Sequence, residues 1–232
     1  MAVVSPSPST PKIPRGRGSG LSHERHAEIS VAAGPGDTAP TTGRRRDLLD
    51  AAVQVLAQTG LRGLTHRAVD AQAGVPQGST STYYRTRLAL LSALTSHVAQ
   101  ELLAGIEVLG ARVAALPEMA DDELARACAD EVVTALLALA RRQDLVSAQS
   151  ELVLEAARTP ELLDILTPWR RALIDIVASI GSTVDPVKAT DRAETTVAAF
   201  QGVLATSLWH PTQARAAYVE RSSRQLLDLL QA

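Results

Sequence analysis

A run of polar and aromatic side chains occupies residues 77–83, at a place where a buried helix would need an apolar stripe. The run reads Gln-Gly-Ser-Thr-Ser-Thr-Tyr, and arginines flank it at positions 62, 67, 85 and 87. Amide, hydroxyl and phenol groups can hydrogen-bond to base edges, and guanidinium groups suit phosphate oxygens. The pattern therefore indicates a DNA-binding surface. The alternative is an ordinary helical hairpin with a solvated polar face.

The residues before this run predict a short helix, a tight turn and a second short helix. Thr65 is a hydroxyl N-cap, and Val69 is an apolar position of the helix that follows. Gly74 can end that helix in the left-handed conformation, and Pro76 can begin the next segment because its missing N–H costs little there. The second helix is expected at about 77–84. Two short helices joined in this way form a helix-turn-helix, whose second helix enters the DNA major groove.

Residues 44–90 resemble the TetR family of one-component transcriptional regulators. The resemblance begins with an amphipathic helix that ends in Gln-Thr-Gly at 58–60, and it continues through Ala-Gly-Val at 73–75 to an aromatic pair before a long apolar helix. The order and spacing of these features together are specific. The chain departs from the family at Thr80 and Ser81, where an apolar residue and a tyrosine are usual. The family's tyrosine-to-phosphate contact is therefore not carried over to position 81.

The candidate DNA contacts fall into groups that could meet bases and groups that could meet phosphate. Gln77 is expected in the first turn of the second helix, where its amide could form two hydrogen bonds to adenine. The hydroxyl of Tyr83 and the charge of Arg87 suit phosphate. His66 either donates to a phosphate or packs against the first helix as a half-buried ring. The full set is Arg44, Arg45, Thr65, His66, Arg67, Gln77, Gly78, Ser79, Thr82, Tyr83, Arg85 and Arg87.

Two further charged features precede or accompany this segment. The arginines at 44–46 lead into the first helix, where cations are unfavourable because of the helix dipole. A nearby anion such as DNA phosphate would explain them, and solvated first-turn charge is the alternative. Asp70 is expected to pair with an arginine such as Arg67 rather than to contact cytosine.

The composition favours an all-α fold. The chain of 232 residues is 46% hydrophobic but only 3% aromatic, so Ala, Leu and Val must build its core. Ala and Leu are strong helix formers, and runs of β-branched residues are scarce. Cys128 is the only cysteine, which excludes an internal disulfide and a cysteine-based zinc site and fits a reducing cytoplasm. We expect no membrane span of about eighteen apolar residues and no secretory signal.

Charge is unevenly distributed along the chain, although its net value is only −2. Residues 44–87 carry seven basic and three acidic groups, whereas residues 88–232 carry twelve basic and nineteen acidic groups. A basic segment joined to an acidic body is the pattern expected if only the first part meets phosphate.

The chain divides into three predicted regions. Residues 1–43 are rich in Ser, Pro, Gly and Thr and are expected to be disordered. Their weak basic cluster is interpreted as a solubilising leader rather than a DNA-touching arm. Residues 44–87 are the expected DNA-binding domain, and 88–232 the regulatory and dimerisation domain. After the helix-turn-helix, helices are expected from Thr86 to Pro117 and at about 120–141, 143–158, 160–166 (preceding or kinking into 168–180), 186–209 and 212–231.

The helical body offers candidates for binding a small molecule. We expect no enzyme, cofactor or metal site, because the sequence has no Gly-rich phosphate loop, no paired metal ligands and no serine elbow. The resemblance implies a ligand cavity, and polar groups within the body could line it. For each one singly the alternative is an ordinary core or surface residue. These candidates are His97, Cys128, Gln149 and Trp169.

The last two helices are the expected dimerisation surface. Val197, Phe200 and Leu204 share one face of the first, and Leu226 and Leu229 share one face of the second. Apolar surface left exposed there would favour a second copy, and a monomer core is the alternative.

These features together predict an all-α protein with an N-terminal three-helix head, which carries the helix-turn-helix, and a C-terminal helical bundle. The resemblance implies a repressor that binds a pseudo-palindromic operator as a homodimer and is released by a small-molecule effector. A helical adaptor that uses the same fold for protein contacts is the alternative.

Overall fold

The computed structural model describes residues 43–185 and 187–231, and these form nine α-helices with no strand among them. The predicted all-α fold is confirmed. The predicted N-terminal tail lies outside the described residues apart from Gly43. The helices are α1 (Gly43–Gly63), α2 (His66–Gln72), α3 (Ser79–Tyr83), α4 (Arg87–Ala114), α5 (Asp121–Arg141), α6 (Gln143–Ala156), α7 (Pro160–Ser182), α8 (Ala189–Ser207) and α9 (Thr212–Gln231).

α1 is broken at Gly60 rather than ended there. Gly60 has φ 65° and ψ −177°, a conformation that glycine reaches without steric cost, and one more turn of helix follows. The guanidinium of Arg87, at the start of α4, donates to the carbonyl oxygens of Leu61 and Leu64 at 2.5 Å each. This arginine therefore fixes the broken turn against α4.

One apolar core passes through α1, α2, α4, α6 and α7. Leu56 and Val69 are fully buried in it, as are Leu94 from α4 and Leu152 from α6. Each such leucine stabilises the fold by roughly 1.5–3 kcal/mol through the apolar surface removed from water. The head is thus packed directly on the body, and the boundary after residue 87 remains a prediction about function.

Two helix boundaries in the body differ from expectation. The two segments predicted around Thr167 and Pro168 form the single helix α7, with Pro168 inside it and exposed. Exposure makes the proline tolerable, because the carbonyl that loses its helical partner can reach water. α8 begins at Ala189, later than predicted, and the Asp185 carboxylate before it accepts hydrogen bonds from the Val187 and Lys188 amides at 3.2 Å.

By length and composition, α4 could cross a membrane, with a mean hydropathy of 1.2 over an 18-residue window. No such stretch was expected from the sequence. The side chains of Leu94, Val98 and Leu102 are buried against neighbouring helices, as in the core helix of a globular protein.

A buried carboxylate holds the turn between α2 and α3. Asp70 Oδ1 accepts from the backbone N–H of Thr80 at 2.7 Å and from its hydroxyl at 2.6 Å, and Oδ2 accepts from the Gly78 N–H at 2.7 Å. Gly78 has φ 96°, a left-handed conformation that favours glycine. The predicted pairing of Asp70 with Arg67 is wrong, because the carboxylate is aimed at α3 and the arginine is exposed.

The same contacts set the titration of Asp70. Burial raises the pKa of this carboxyl, but the hydrogen bonds from Thr80 and Gly78 and the charge of His66 outweigh burial and hold it below its ordinary value of 3.8. Because the unfolded chain binds its proton more readily, the contact stabilises the fold above about pH 3.8. This stabilisation is lost as the pH falls through the lower folded pKa.

We predict that Asp70→Asn lowers the free energy of unfolding at pH 7 by about 1.5–3 kcal/mol, because an amide has one acceptor oxygen and no charge for three donors. The stability lost on acidification below about pH 3.8 should also become smaller in this variant. Denaturant titrations at several pH values measure both effects.

Asp47→Asn is the matched control, since Asp47 is an exposed carboxylate on α1. Equal stability changes in the two variants would show that the Asp70 contacts have no special role.

Candidate functional site

Three helix ends meet around α3. The Arg45 guanidinium lies over the ring of Tyr83, 5.6 Å from its centroid. His66 Nε2, at the start of α2, donates to the Tyr84 carbonyl oxygen at 2.5 Å. The N-termini of α1 and α2 are thereby brought to the C-terminal end of α3, and their polar and basic residues form a surface that we call the α3 surface.

Most of the candidate DNA contacts are exposed on this surface. Arg45, His66 and Ser79 are half-buried. The exposed candidates are Arg44, Thr65, Arg67, Gln77, Gly78, Thr82, Tyr83, Arg85 and Arg87.

Several hydroxyl groups of the α3 surface are already engaged within the fold. The Thr65 hydroxyl accepts from the Ala68 N–H at 3.1 Å, as expected of an N-cap. The hydroxyl of Ser79 donates to the Pro76 carbonyl at 2.6 Å, and that of Thr82 donates to the Gly78 carbonyl at 3.1 Å. The hydroxyl protons of Ser79 and Thr82 therefore stabilise the start of α3, and their oxygens remain able to accept hydrogen bonds.

Gln77 lies before α3 rather than in its first turn. Gly78 is the N-cap and reverses the chain, so helical geometry begins only at Ser79. Within the described part of the chain the exposed Gln77 amide has no hydrogen-bond partner. It remains free to bind an external group, although from a position outside the helix.

The arginines of the α3 surface differ in whether their guanidinium groups are already bound to other groups of the protein. Arg87 has two donors engaged by the carbonyls near the broken end of α1, so its first role is structural. Arg67 and Arg85 are exposed and make no ion pair with any described residue. Their charges are therefore more available than that of Arg87 to bind a phosphate.

A large cavity lies between α4, α5, α7 and α8, with a volume of about 990 Å³. That volume is at the upper end of the range for small-molecule sites, roughly 300–1,000 Å³. Most of its wall is apolar, with Leu102, Ile106 and Val177 among the lining residues. Of the four predicted ligand residues, the cavity is lined by Cys128, Gln149 and Trp169.

The prediction of His97 as a ligand residue is wrong. Its ring is 8% exposed and is turned toward α1, where Nε2 donates to Asp50 Oδ1 at 2.8 Å. Packing of α1 on α4 covers this face of the helix, which the sequence pattern of α4 alone does not reveal.

Two buried polar atoms of the cavity wall lack a hydrogen-bond partner, namely Trp169 Nε1 and Glu131 Oε2. The Glu131 carboxylate is nevertheless 3.6 Å from the Arg112 guanidinium, so its charge is compensated. Trp169 is 4% exposed, and an unpaired buried donor costs about 1–3 kcal/mol. A bound acceptor would therefore satisfy this indole. Glu131 was not identified from the sequence, because its spacing marks it as ordinary surface charge.

Cys128 is a small buried group of the same wall. Burial raises the pKa of its thiol above the ordinary value of 9.0, so the neutral form is favoured at neutral pH. Among residues 43–185 and 187–231, no cluster of three His, Cys, Asp or Glu side chains is placed to hold a metal ion.

The residues predicted to form the dimer face of α8 point into the protomer. Val197 and Leu204 are 4% exposed, and both line the cavity together with Phe200. The prediction that they form an exposed face is therefore wrong, because α8 is turned so that this face covers the cavity. On α9, Leu226 is half-buried against α5 and α8, whereas Leu229 is 73% exposed.

The opposite face of α8 is exposed. It carries Thr195, Ala198 and Gly202, at helical spacings of three and four residues, and Trp209 follows just after the helix with 86% exposure. A Cβ at Gly202 would meet no atom within 4 Å. Small side chains that repeat along one face allow another helix to approach closely. This spacing is visible in the sequence and could have identified the face.

Two protein-family models match this chain, one in the head and one in the body. Residues 48–94 match the model for bacterial regulatory proteins of the tetR family. Residues 120–229 match the model for the tetracyclin repressor-like C-terminal domain. No curated protein sequence gives a significant match.

Solved structures share the fold. A transcriptional regulator from Rhodococcus sp. Rha1 is 19% identical with a TM-score of 0.65, over 79% of this chain and 93% of that chain. A TetR family member from Streptomyces coelicolor A3 is 26% identical with a TM-score of 0.54, over 78% and 98% of the two chains. The multidrug binding protein EbrR, complexed with imidazole, is 28% identical with a TM-score of 0.51, over 77% and 89%. Because one family model matches the helix-turn-helix segment and the other matches the helical body, the chain belongs to the TetR family of transcriptional regulators.

Proposed function

We propose that the protein is a cytoplasmic, non-enzymatic repressor that binds a pseudo-palindromic operator as a homodimer and leaves it when a small molecule fills the cavity. The observation that carries the proposal is the α3 surface. Most of its polar side chains are exposed, as are Arg67 and Arg85, and the Asp70 contacts fix α3 in one position. A pre-ordered surface of this kind loses little entropy on binding DNA.

The size of α3 supports the proposed dimer. One helix of five residues can reach only a few base pairs, whereas a two-fold pair contacts two half-sites. We expect the two copies to meet at the exposed outer face of α8, from Thr195 through Gly202 to Trp209. Leu229 of α9 adds exposed apolar area to the same C-terminal region.

The effector site is supported by the cavity. Its apolar wall suits an apolar molecule of substantial size, and the Trp169 indole offers a hydrogen-bond donor. Similarity to EbrR, a multidrug binding protein, also favours a small-molecule effector.

The full-length protein should enrich a two-fold related sequence from a random double-stranded DNA library. Gln77→Ala should relax preference at one base step in each half-site, with a loss of about 1–3 kcal/mol of discrimination. Arg67→Ala should weaken binding to all sequences alike and lower the salt slope by about one unit per half-site, because a phosphate contact is lost. Fluorescence anisotropy over a salt series measures both.

Arg171→Ala, at an exposed arginine of α7, is the control and should change neither quantity. A folded protein that enriches no DNA would contradict the proposed function and favour the helical adaptor. An unchanged base preference in Gln77→Ala would remove that residue from the base contacts.

Gly202→Glu should give a folded monomer. The new side chain meets no atom of its own protomer within 4 Å, but it would place a charge in the proposed α8 interface. Light scattering gives the mass and circular dichroism the helix content. Ala104→Glu, on an exposed position of α4, should remain dimeric, and a dimer in both variants would place the interface elsewhere.

Occupancy of the cavity should be visible in tryptophan fluorescence. The chain has two tryptophans, so Trp209→Phe leaves Trp169 as the sole emitter. Anilinonaphthalene sulfonate, a probe of apolar cavities, should quench that emission by energy transfer. Ala135→Phe, which narrows the cavity, should weaken the quenching several-fold, whereas Ala104→Phe on the exposed side of α4 should not. Equal quenching in both variants would show that the probe binds outside the cavity.

A further inference from the structure

The Glu101 carboxylate of α4 is shared between two arginines from distant parts of the chain. Its Oε1 accepts from Arg46 Nη2 on α1 at 2.6 Å. Its Oε2 accepts from Arg142 Nη2, at the link between α5 and α6, at 2.8 Å. Each oxygen therefore serves one partner, and a single side chain connects the head to the body.

A second contact between α1 and α4 lies one helical turn away. Asp50 follows Arg46 by four residues on α1, and His97 precedes Glu101 by four residues on α4. Asp50 accepts from His97 at 2.8 Å. In this contact the donor is on α4 and the acceptor on α1, whereas in the Arg46–Glu101 contact the donor is on α1 and the acceptor on α4. Together they set the position of α1 along α4.

The two ends of the Glu101 contact face different sites. Glu101 and Arg142 line the cavity, whereas Arg46 lies outside its wall. Arg46 adjoins Arg44 and Arg45, which are candidate DNA contacts, and Arg45 lies over the Tyr83 ring at the end of α3. A charge placed in the cavity can therefore reach one side of the shared carboxylate, while the other side holds the N-terminal end of α1.

We propose that Glu101 is a positioning residue that couples the cavity to the DNA-binding head. An occupant that fills the apolar cavity and also carries a charged group competes for Arg142 or for Glu101. This competition changes the contact between Glu101 and Arg46, and with it the position of α1 relative to α3. A ligand shifts a conformational equilibrium only by binding one conformation better than the other, and competition for the Glu101 contact supplies such a difference. Its regulatory meaning rests on the proposed function, since α1 affects DNA binding only if the α3 surface binds DNA.

Amide hydrogen exchange of the full-length protein tests the coupling without DNA or ligand. Arg142→Met should speed the exchange of α1 amides at 47–56 by about two- to tenfold, because the shared carboxylate loses one of its two anchors. Arg142→Lys keeps a donor and should restore slower exchange. Arg141→Met is the matched control, because Arg141 also lines the cavity but is not a partner of Glu101.

The coupling should depend on Glu101 itself. In a Glu101→Ala background, Arg142→Met should have no further effect on the α1 amides, since no carboxylate remains to transmit it. Faster exchange confined to α5 and α6 would overturn the proposal. Equal acceleration of α1 by Arg141→Met would also overturn it, because a general loosening of the cavity wall would then be the cause.

DNA affinity gives a second and independent measurement. On DNA enriched by the wild-type protein, Arg46→Met and Arg142→Met should be non-additive by about twofold or more, and additive effects would count against the coupling. If the wild-type protein enriches no DNA, the proposed function fails, while the exchange experiment still decides whether Glu101 couples α1 to the cavity wall.

Discussion

The α3 surface depends on the buried carboxylate of Asp70. α3 has only five residues, too few to be stable alone, because helix nucleation is unfavourable and short helices are marginal in water. Asp70 supplies the missing stability by accepting from both ends of the turn into α3, at Gly78 and at Thr80. This anchor lies beneath the helix, so α3 needs no apolar stripe of its own and can keep its outer face polar. A flexible hairpin with the same composition would have to order itself on DNA at a cost in affinity.

The Asp70 contact also explains where the chain departs from its family. Thr80 stands where an apolar residue is usual, and it is fully buried. A buried hydroxyl is tolerated only when it is hydrogen-bonded, and Asp70 provides the acceptor. The carboxylate in turn has a lowered pKa because three donors face it. The buried hydroxyl of Thr80 therefore depends on Asp70, which also accepts from the backbone N–H groups of Gly78 and Thr80.

The head is not an independent module carried on a flexible arm. Its core is continuous with that of the body, and Arg87, Glu101 and His97 each connect α4 to a neighbouring part of the head. A displacement of α4 therefore changes its contacts with α1. The body, by contrast, leaves room for such a displacement. Its cavity is lined by many small residues, among them Ala125, Ala129 and Ala138, and a chain with 3% aromatic residues has few side chains large enough to fill it.

Local sequence was enough to predict where most of the helices lie, the N-cap Thr65 and the left-handed Gly74, because propensity, capping and helical periodicity act within a few residues. It was also enough to identify the family, whose motif is a run of consecutive positions. Tertiary structure decided which face of each helix is inside. It turned Val197 and Phe200 toward the cavity and His97 toward α1, since a pattern shows that a face is apolar but not which neighbour covers it. It also paired Asp70 with Thr80 and Glu101 with Arg142, because partners on different helices meet only when those helices have packed.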